Sequence, residues 1–178
     1  VPRIRASIVS RVTLVVALCA AGAAPAAADQ PRPQPHTKTA RPGPPSAVDP
    51  SRSDLDIVAL SVGGVLPGGT TMLRVLIANF GPDETASTAT VRVTVPGGAA
   101  AVGPFFPPSC TPDASGGTVV CTFAPGLGLL KTATVQIPVR VPSDIAHGVT
   151  LSGGRVAVSS PDDTNSGNNT ASFALQVG

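Results

Sequence analysis

Residues 132–141 read TATVQIPVRV. Ala133, Val135, Ile137, Val139 and Val141 alternate with Thr134, Gln136, Pro138 and Arg140, so an extended chain sends the apolar set to one face and the rest to the other. That is the pattern of a strand with one face buried and one in water. Pro138 has no backbone donor, which predicts that this strand lies at a sheet edge or turns that position away from the ladder. ATVRVTV at 89–95 repeats the alternation, and similar patterns run through LDIVAL (55–60), TMLRVLIA (71–78), RVAVSS (155–160) and ASFALQV (171–177). No window of about a dozen residues shows a 3.6-residue period. An all-β domain is expected.

The stretches between these runs carry turn chemistry: LPGGT at 66–70, NFGPDE at 79–84, PGG at 96–98, SGG at 115–117 and APGLG at 124–128. About seven strands within roughly 125 residues is the size and rhythm of an immunoglobulin-like antiparallel β-sandwich. The domain is read as residues 54–178.

Two other segments precede it. Residues 1–11, VPRIRASIVSR, carry Arg3, Arg5 and Arg11 and no acid, and Val12–Ala28 carries no charge. A basic start, an apolar run broken by Pro25 and the small residues Ala26-Ala27-Ala28 read as a signal peptide over 1–28, cut before Asp29. The run is shorter than the roughly 20 apolar residues a spanning helix needs, and Leu18 stands where a lipobox has a small residue before Cys19. Residues 29–53 hold seven prolines between positions 31 and 50 and almost no large apolar side chain, which predicts a disordered, extended Pro-rich linker. Such a linker serves as a passive tail or as a spacer docking to anionic wall polymer through Arg32, Lys38, Arg41 and Arg52.

The leader also carries part of the positive charge. The whole chain has a formal net charge of +2, but from Asp54 onward five basic residues face eight acidic ones, a net of −3. No basic stripe of the kind nucleic acid requires is present in that domain. Cys19 leaves with the leader, so Cys110 and Cys121 form an even pair in an oxidising compartment. Gly116-Gly117 between them is placed to turn the chain back, and a structural disulfide is expected. A redox role would need a Cys-x-x-Cys spacing or a basic neighbour, whereas the nearest charge in sequence is Asp113.

Three longer stretches carry a family resemblance. They are PGGTTMLRVLIANFGPDETASTATVRVTVP, SCTPDASGGTVVCTFAPGLGLLKTATVQIPVRVP and SSPDDTNSGNNTASFAL, in that order. Together they resemble the DUF11 family of bacterial surface repeats. The motifs are the PG turn before the second strand, the Asn79-x-Gly81-Pro82 turn after it and the cysteines flanking a Gly-Gly turn. A strand ending in Val141-Pro142 and an Asp/Asn-rich turn ending in Asn168-Asn169 complete the set. The resemblance spans essentially Asp54–Val177 and implies an immunoglobulin-like sandwich outside the cell, with no established chemistry. The family commonly forms arrays, whereas this chain shows one copy and no sorting motif after Val177, which argues against covalent surface attachment.

The densest cluster of polar groups is SSPDDTNSGNNTASF at 159–173. Asp162, Asp163 and Asn165 are the weak candidates for a metal. Counted from Asp163 as position 1 of an EF-hand loop, Gly167 falls at position 5, Asn168 at 6 and Ala174 at 12, where a ligand, a glycine and a glutamate are required. Asx-turn chemistry is the preferred reading, and no metal or cofactor is expected. His36 and His147 are the only histidines and no GxSxG occurs, so no catalytic residues are assigned. Sugar-binding platforms ordinarily use Trp or Tyr, and the chain has neither. Phe105-Phe106 is the remaining candidate, since adjacent strand residues face opposite ways and one ring could be left outside as a contact patch. The expectation is a secreted, non-enzymatic binding or spacing module. Its partner is an unidentified protein or cell-wall polymer, with no nucleic acid and no membrane anchor after leader cleavage. The alternative is a secreted inhibitor or carrier that presents a loop or edge strand.

Overall fold

The computed structural model describes residues 50–178. The expected leader, and the expected linker up to residue 49, lie outside the described residues. Nine strands follow in chain order: β1 (Leu55–Val62), β2 (Thr70–Asn79), β3 (Ala89–Thr94), β4 (Ala100–Ala101), β5 (Thr111–Pro112), β6 (Thr118–Phe123), β7 (Thr132–Arg140), β8 (Thr150–Ser159) and β9 (Thr170–Gln176). A single 3₁₀ turn, Ser166–Asn168, precedes β9. β1-β2-β7-β4 form one sheet and β5-β6-β3-β8-β9 the other, with antiparallel ladders throughout. This is the expected immunoglobulin-like sandwich. Seven of the strands are six residues or longer; β4 and β5 have two residues each, too short to show a period.

The core lies between the sheets and follows the alternation. Leu73, Val75 and Ile77 of β2 pack inward with Val135, Ile137 and Val139 of β7, facing Val91, Val93, Val119, Val156, Val158 and Leu175 from the second sheet. None of these is more than 3% exposed. Each fully buried Val, Leu or Ile contributes about 1.5–3 kcal/mol of apolar transfer, so this two-sheet layer supplies the main drive to fold. Gly153 and Gly154 sit at a bulge in β8. Gly153 takes φ 90°, and a Cβ on Gly154 would stand 2.8 Å from the Phe173 ring. One glycine therefore serves the bend and the other the close approach of an aromatic.

Pro138 resolves as the second of its two expected placements. β7 is an interior strand between β2 and β4. Gln136 exchanges both backbone bonds with Phe106, and the Pro138 carbonyl accepts from Val102 N–H at 2.8 Å. The alternation of an antiparallel ladder thus turns the missing donor toward the short edge segment and away from β2.

Candidate functional site

The polar residues converge at the end of the sandwich where the chain passes into β1. Asn79, the last residue of β2, is fully buried. Its Oδ1 accepts from Asp54 N–H (3.0 Å) and Gly81 N–H (2.9 Å), and its Nδ2 donates to the carbonyls of Asp83 (2.8 Å) and Leu127 (2.7 Å). The amide has two donors and an acceptor with two lone pairs, so all of its capacity is filled. Gly81 can only be glycine, because a Cβ there would collide with the Arg52 carbonyl and lie 2.6 Å from the Asp54 nitrogen. Thr85 is also buried, and its Oγ1 accepts from Gly126 N–H (3.1 Å) and Leu127 N–H (3.0 Å). Leu130 takes φ 58° and donates its N–H to the Asn79 carbonyl at 2.7 Å. A branched residue in that left-handed region costs about 1–3 kcal/mol, which the surrounding bonds must offset.

Asp162, Asp163 and Asn165 join this end without converging on one point. Asp162 Oδ2 accepts from Ala86 N–H (2.7 Å) and Ser53 Oγ (3.4 Å), and its Oδ1 from Ser160 Oγ (2.6 Å). Asp163 Oδ2 accepts from Leu55 N–H (3.3 Å) and Asn169 Nδ2 (2.9 Å), and its Oδ1 from Asn165 N–H (2.9 Å). That last bond is an Asx-turn. The Asn165 side chain is exposed and does not cap the 3₁₀ turn that follows. Partial burial pushes the Asp162 carboxyl up, but the bonds from Ser160, Ala86 and Ser87 outweigh it and hold the group at about 2. These two carboxylates therefore act as anchors for donors drawn from two distant segments, Ser53–Leu55 and Ala86–Ser87, and from their own loop.

One boundary moves. Ser53, placed above at the end of the linker, is fully buried. It donates its N–H to the Asp162 carbonyl (3.0 Å), accepts from Thr164 N–H (2.9 Å) and forms a parallel bridge with Asp163. Ser51 Oγ donates to the Glu84 carbonyl, and Arg52 pairs with Asp83 at 3.4 Å. The folded unit thus begins before Asp54, held by partners that composition cannot reveal.

Cys110 and Cys121 form a disulfide, with their Cα atoms 3.9 Å apart. Thr111 pairs with Val120, which places the cysteines opposite each other at the base of the β5–β6 hairpin. Both are buried, and Cys121 belongs to the core. Phe105 and Phe106 divide as alternation requires: Phe105 packs against the core, while Phe106 is 52% exposed and bridges Gln136. His147 Nδ1 lies 2.7 Å from the Gly178 carbonyl. Among the described residues, no three His, Cys, Asp or Glu side chains gather as metal ligands. Among them also, no helix is long and apolar enough to cross a membrane.

The outward faces of the two sheets differ in chemistry. On the four-stranded sheet Met72, Leu76, Pro138 and Phe106 stand among Arg74, Gln136 and Arg140. On the five-stranded sheet the register aligns Thr122, Thr90 and Ser159 in one row, Val120, Arg92 and Ala157 in the next, and Thr118, Thr94, Arg155 and Ser172 in the third.

No protein-family profile matches the chain, and no curated protein is similar to it in sequence. Solved structures with a similar fold include the CARDB domain of a Pyrococcus furiosus protein in complex with di-metal ions, at 18% identity and a TM-score of 0.45, covering 71% of this chain and 94% of that one. A collagen-binding domain from a Staphylococcus aureus adhesin is similar at 10% identity and a TM-score of 0.45, covering 70% and 96%. An immunoglobulin-like protein from Nocardia farcinica is similar at 16% identity and a TM-score of 0.40, covering 67% and 97%.

Proposed function

We propose that the protein is an exported, non-enzymatic immunoglobulin-like module that binds a partner or spaces one at or outside the cell envelope. The observation that carries this reading is the buried Cys110–Cys121 disulfide, a bond that persists in oxidising compartments. The leader over 1–28 and the DUF11-like order of motifs support it from the sequence. The structural use of Asp162 and Asp163 supports it from the other side, since their oxygens anchor backbone amides. Mass spectrometry of protein recovered from medium or envelope is expected to find a chain beginning at Asp29 or close to it. Recovery of a chain that retains residues 1–25 overturns the export reading.

A second reading, a secreted inhibitor or carrier that docks a protein partner, is favoured by one feature. Phe106 stands half-exposed beside Gln136 at the margin of the four-stranded sheet, a large apolar ring offered to solvent on the face that also carries the exposed Met72.

A further inference from the structure

We propose that the outward face of the five-stranded sheet docks a linear, carboxylate-bearing polysaccharide of the uronic-acid class. The proposal names the partner class for the binding role above and rests on that reading for where such a polymer is met. Arg92 and Arg155 are the charged side chains on this face; both are exposed, and neither forms an ion pair among the described residues. Arg92 faces Ala157 and Thr94 faces Arg155, so the two arginines are diagonal neighbours on adjacent strands. Diagonal neighbours lie about 7–8 Å apart, their Cβ atoms somewhat closer. At that spacing two guanidinium groups repel each other, and an anion bridging them removes the repulsion.

The rest of the domain sharpens the contrast. Acids outnumber bases from Asp54 onward, yet Asp54, Asp83, Glu84, Asp162 and Asp163 all sit at the polar end. By register, the acid nearest this face is Asp113, which pairs with Thr118 at the far end of the row that holds Arg155. Its carboxylate accepts from Ser115 Oγ (2.9 Å) and Gly117 N–H (2.9 Å), and these bonds, with the Ser115 hydroxyl foremost, lower its pKa. It therefore stays folded onto its own hairpin. A positive centre is left on an otherwise acidic domain, which is charge complementarity for a polyanion.

Shape and flanking chemistry select the kind of polyanion. Rows of Thr and Ser hydroxyls about 4.8 Å apart border the arginines on both sides. Ala157 beside Arg92 leaves the guanidinium uncovered. An open, hydroxyl-lined face without aromatic rings suits a polymer that hydrogen-bonds along its length and presents carboxylates to bidentate arginines.

The test is binding of the full-length protein to polygalacturonate at low ionic strength, measured by affinity electrophoresis with neutral dextran as the control. Arg92→Gln with Arg155→Gln is expected to weaken binding about tenfold or more. Arg74→Gln with Arg140→Gln removes the same charge from the opposite sheet and is expected to leave binding within about twofold of the parent, and added salt weakens the parent. All of these positions are exposed, and unchanged melting temperatures show that the variants are folded. Equal loss in both double variants, no loss in the first, absence of binding, or binding to poly(glycerol phosphate) but not to polygalacturonate each overturns the proposal. None of these outcomes bears on whether the leader is cleaved.

Discussion

Two regions of the sandwich fasten chain that has no long strand to hold it, and they do so by different physics. At the polar end Asn79, Thr85, Asp162 and Asp163 anchor four segments through side-chain bonds to backbone groups. At the opposite flank the two-residue β5 and the stretch leading into it are tied by one covalent bond and the ladder to β6. The first tie demands a particular residue at every anchor and is sensitive to proton concentration. The second needs two cysteines and is sensitive to electrons.

The contrast is broken most severely at Asn79. Asn79→Ala leaves two buried donors and two carbonyls without the partners that bind them now, at about 1–3 kcal/mol for each group that water cannot reach. Because these groups share one site their losses do not add, and a total of about 3–5 kcal/mol is expected in urea unfolding. A loss below about 1 kcal/mol would show that water replaces the amide and that the end is not sealed. Next comes the covalent tie. Cys110→Ser with Cys121→Ser is expected to cost about 2–4 kcal/mol and to lower the melting temperature by several degrees. Dithiothreitol should bring the parent to the same value while leaving the double variant unmoved. A melting temperature indifferent to both treatments would mean that the β6 ladder alone holds the flank.

The smallest effect is the acid response of Asp162. Its folded pKa of about 2 lies below the ordinary 3.8, so the unfolded chain takes up the proton first as pH falls. The stabilisation is fully present above about pH 4 and is lost between about pH 4 and 2. Solvent screens this partly exposed group, which keeps its share to about 1 kcal/mol or less. Asp162→Asn is expected to flatten the stability profile over that window without shifting the response to dithiothreitol. An unchanged profile would transfer the acid sensitivity to other carboxylates.

What could be read in the sequence was periodic or local. Period-two alternation identified six of the seven long strands, missing β6, where Val119-Val120-Cys121 interrupts the pattern, and the Phe105-Phe106 pair split inward and outward as adjacency on an extended chain requires. β4 and β5 could not be seen, because two residues carry no period. The turn character of 159–173 was legible from Asx chemistry, since Asp163 closes its turn onto Asn165 two residues away. Its role as an anchor was not, because Ser53 lies 109 residues from Asp162 and Ala86 lies 76. Nothing local marks such distant donors as partners. Asn79 belonged to a motif read as a turn, but the saturation of its amide depends on Asp54 and Leu127, which only the folded chain brings near. Ser53 was misplaced for the same reason: a proline-rich neighbourhood describes composition, and burial is a property of contacts.

The parallel bridges Ser53–Asp163 and Val65–Val177 place β1 and β9 side by side, running in the same direction from the polar end to the far end. A pull between Pro50 and Gly178 is therefore directed along the strands. It slides β1 past β2 and β9 past β8, loading every rung of each ladder at once, where a pull across the strands would open the rungs one after another. A fold threaded this way resists tension along the line that joins Pro50 and Gly178, with both edge ladders sheared together.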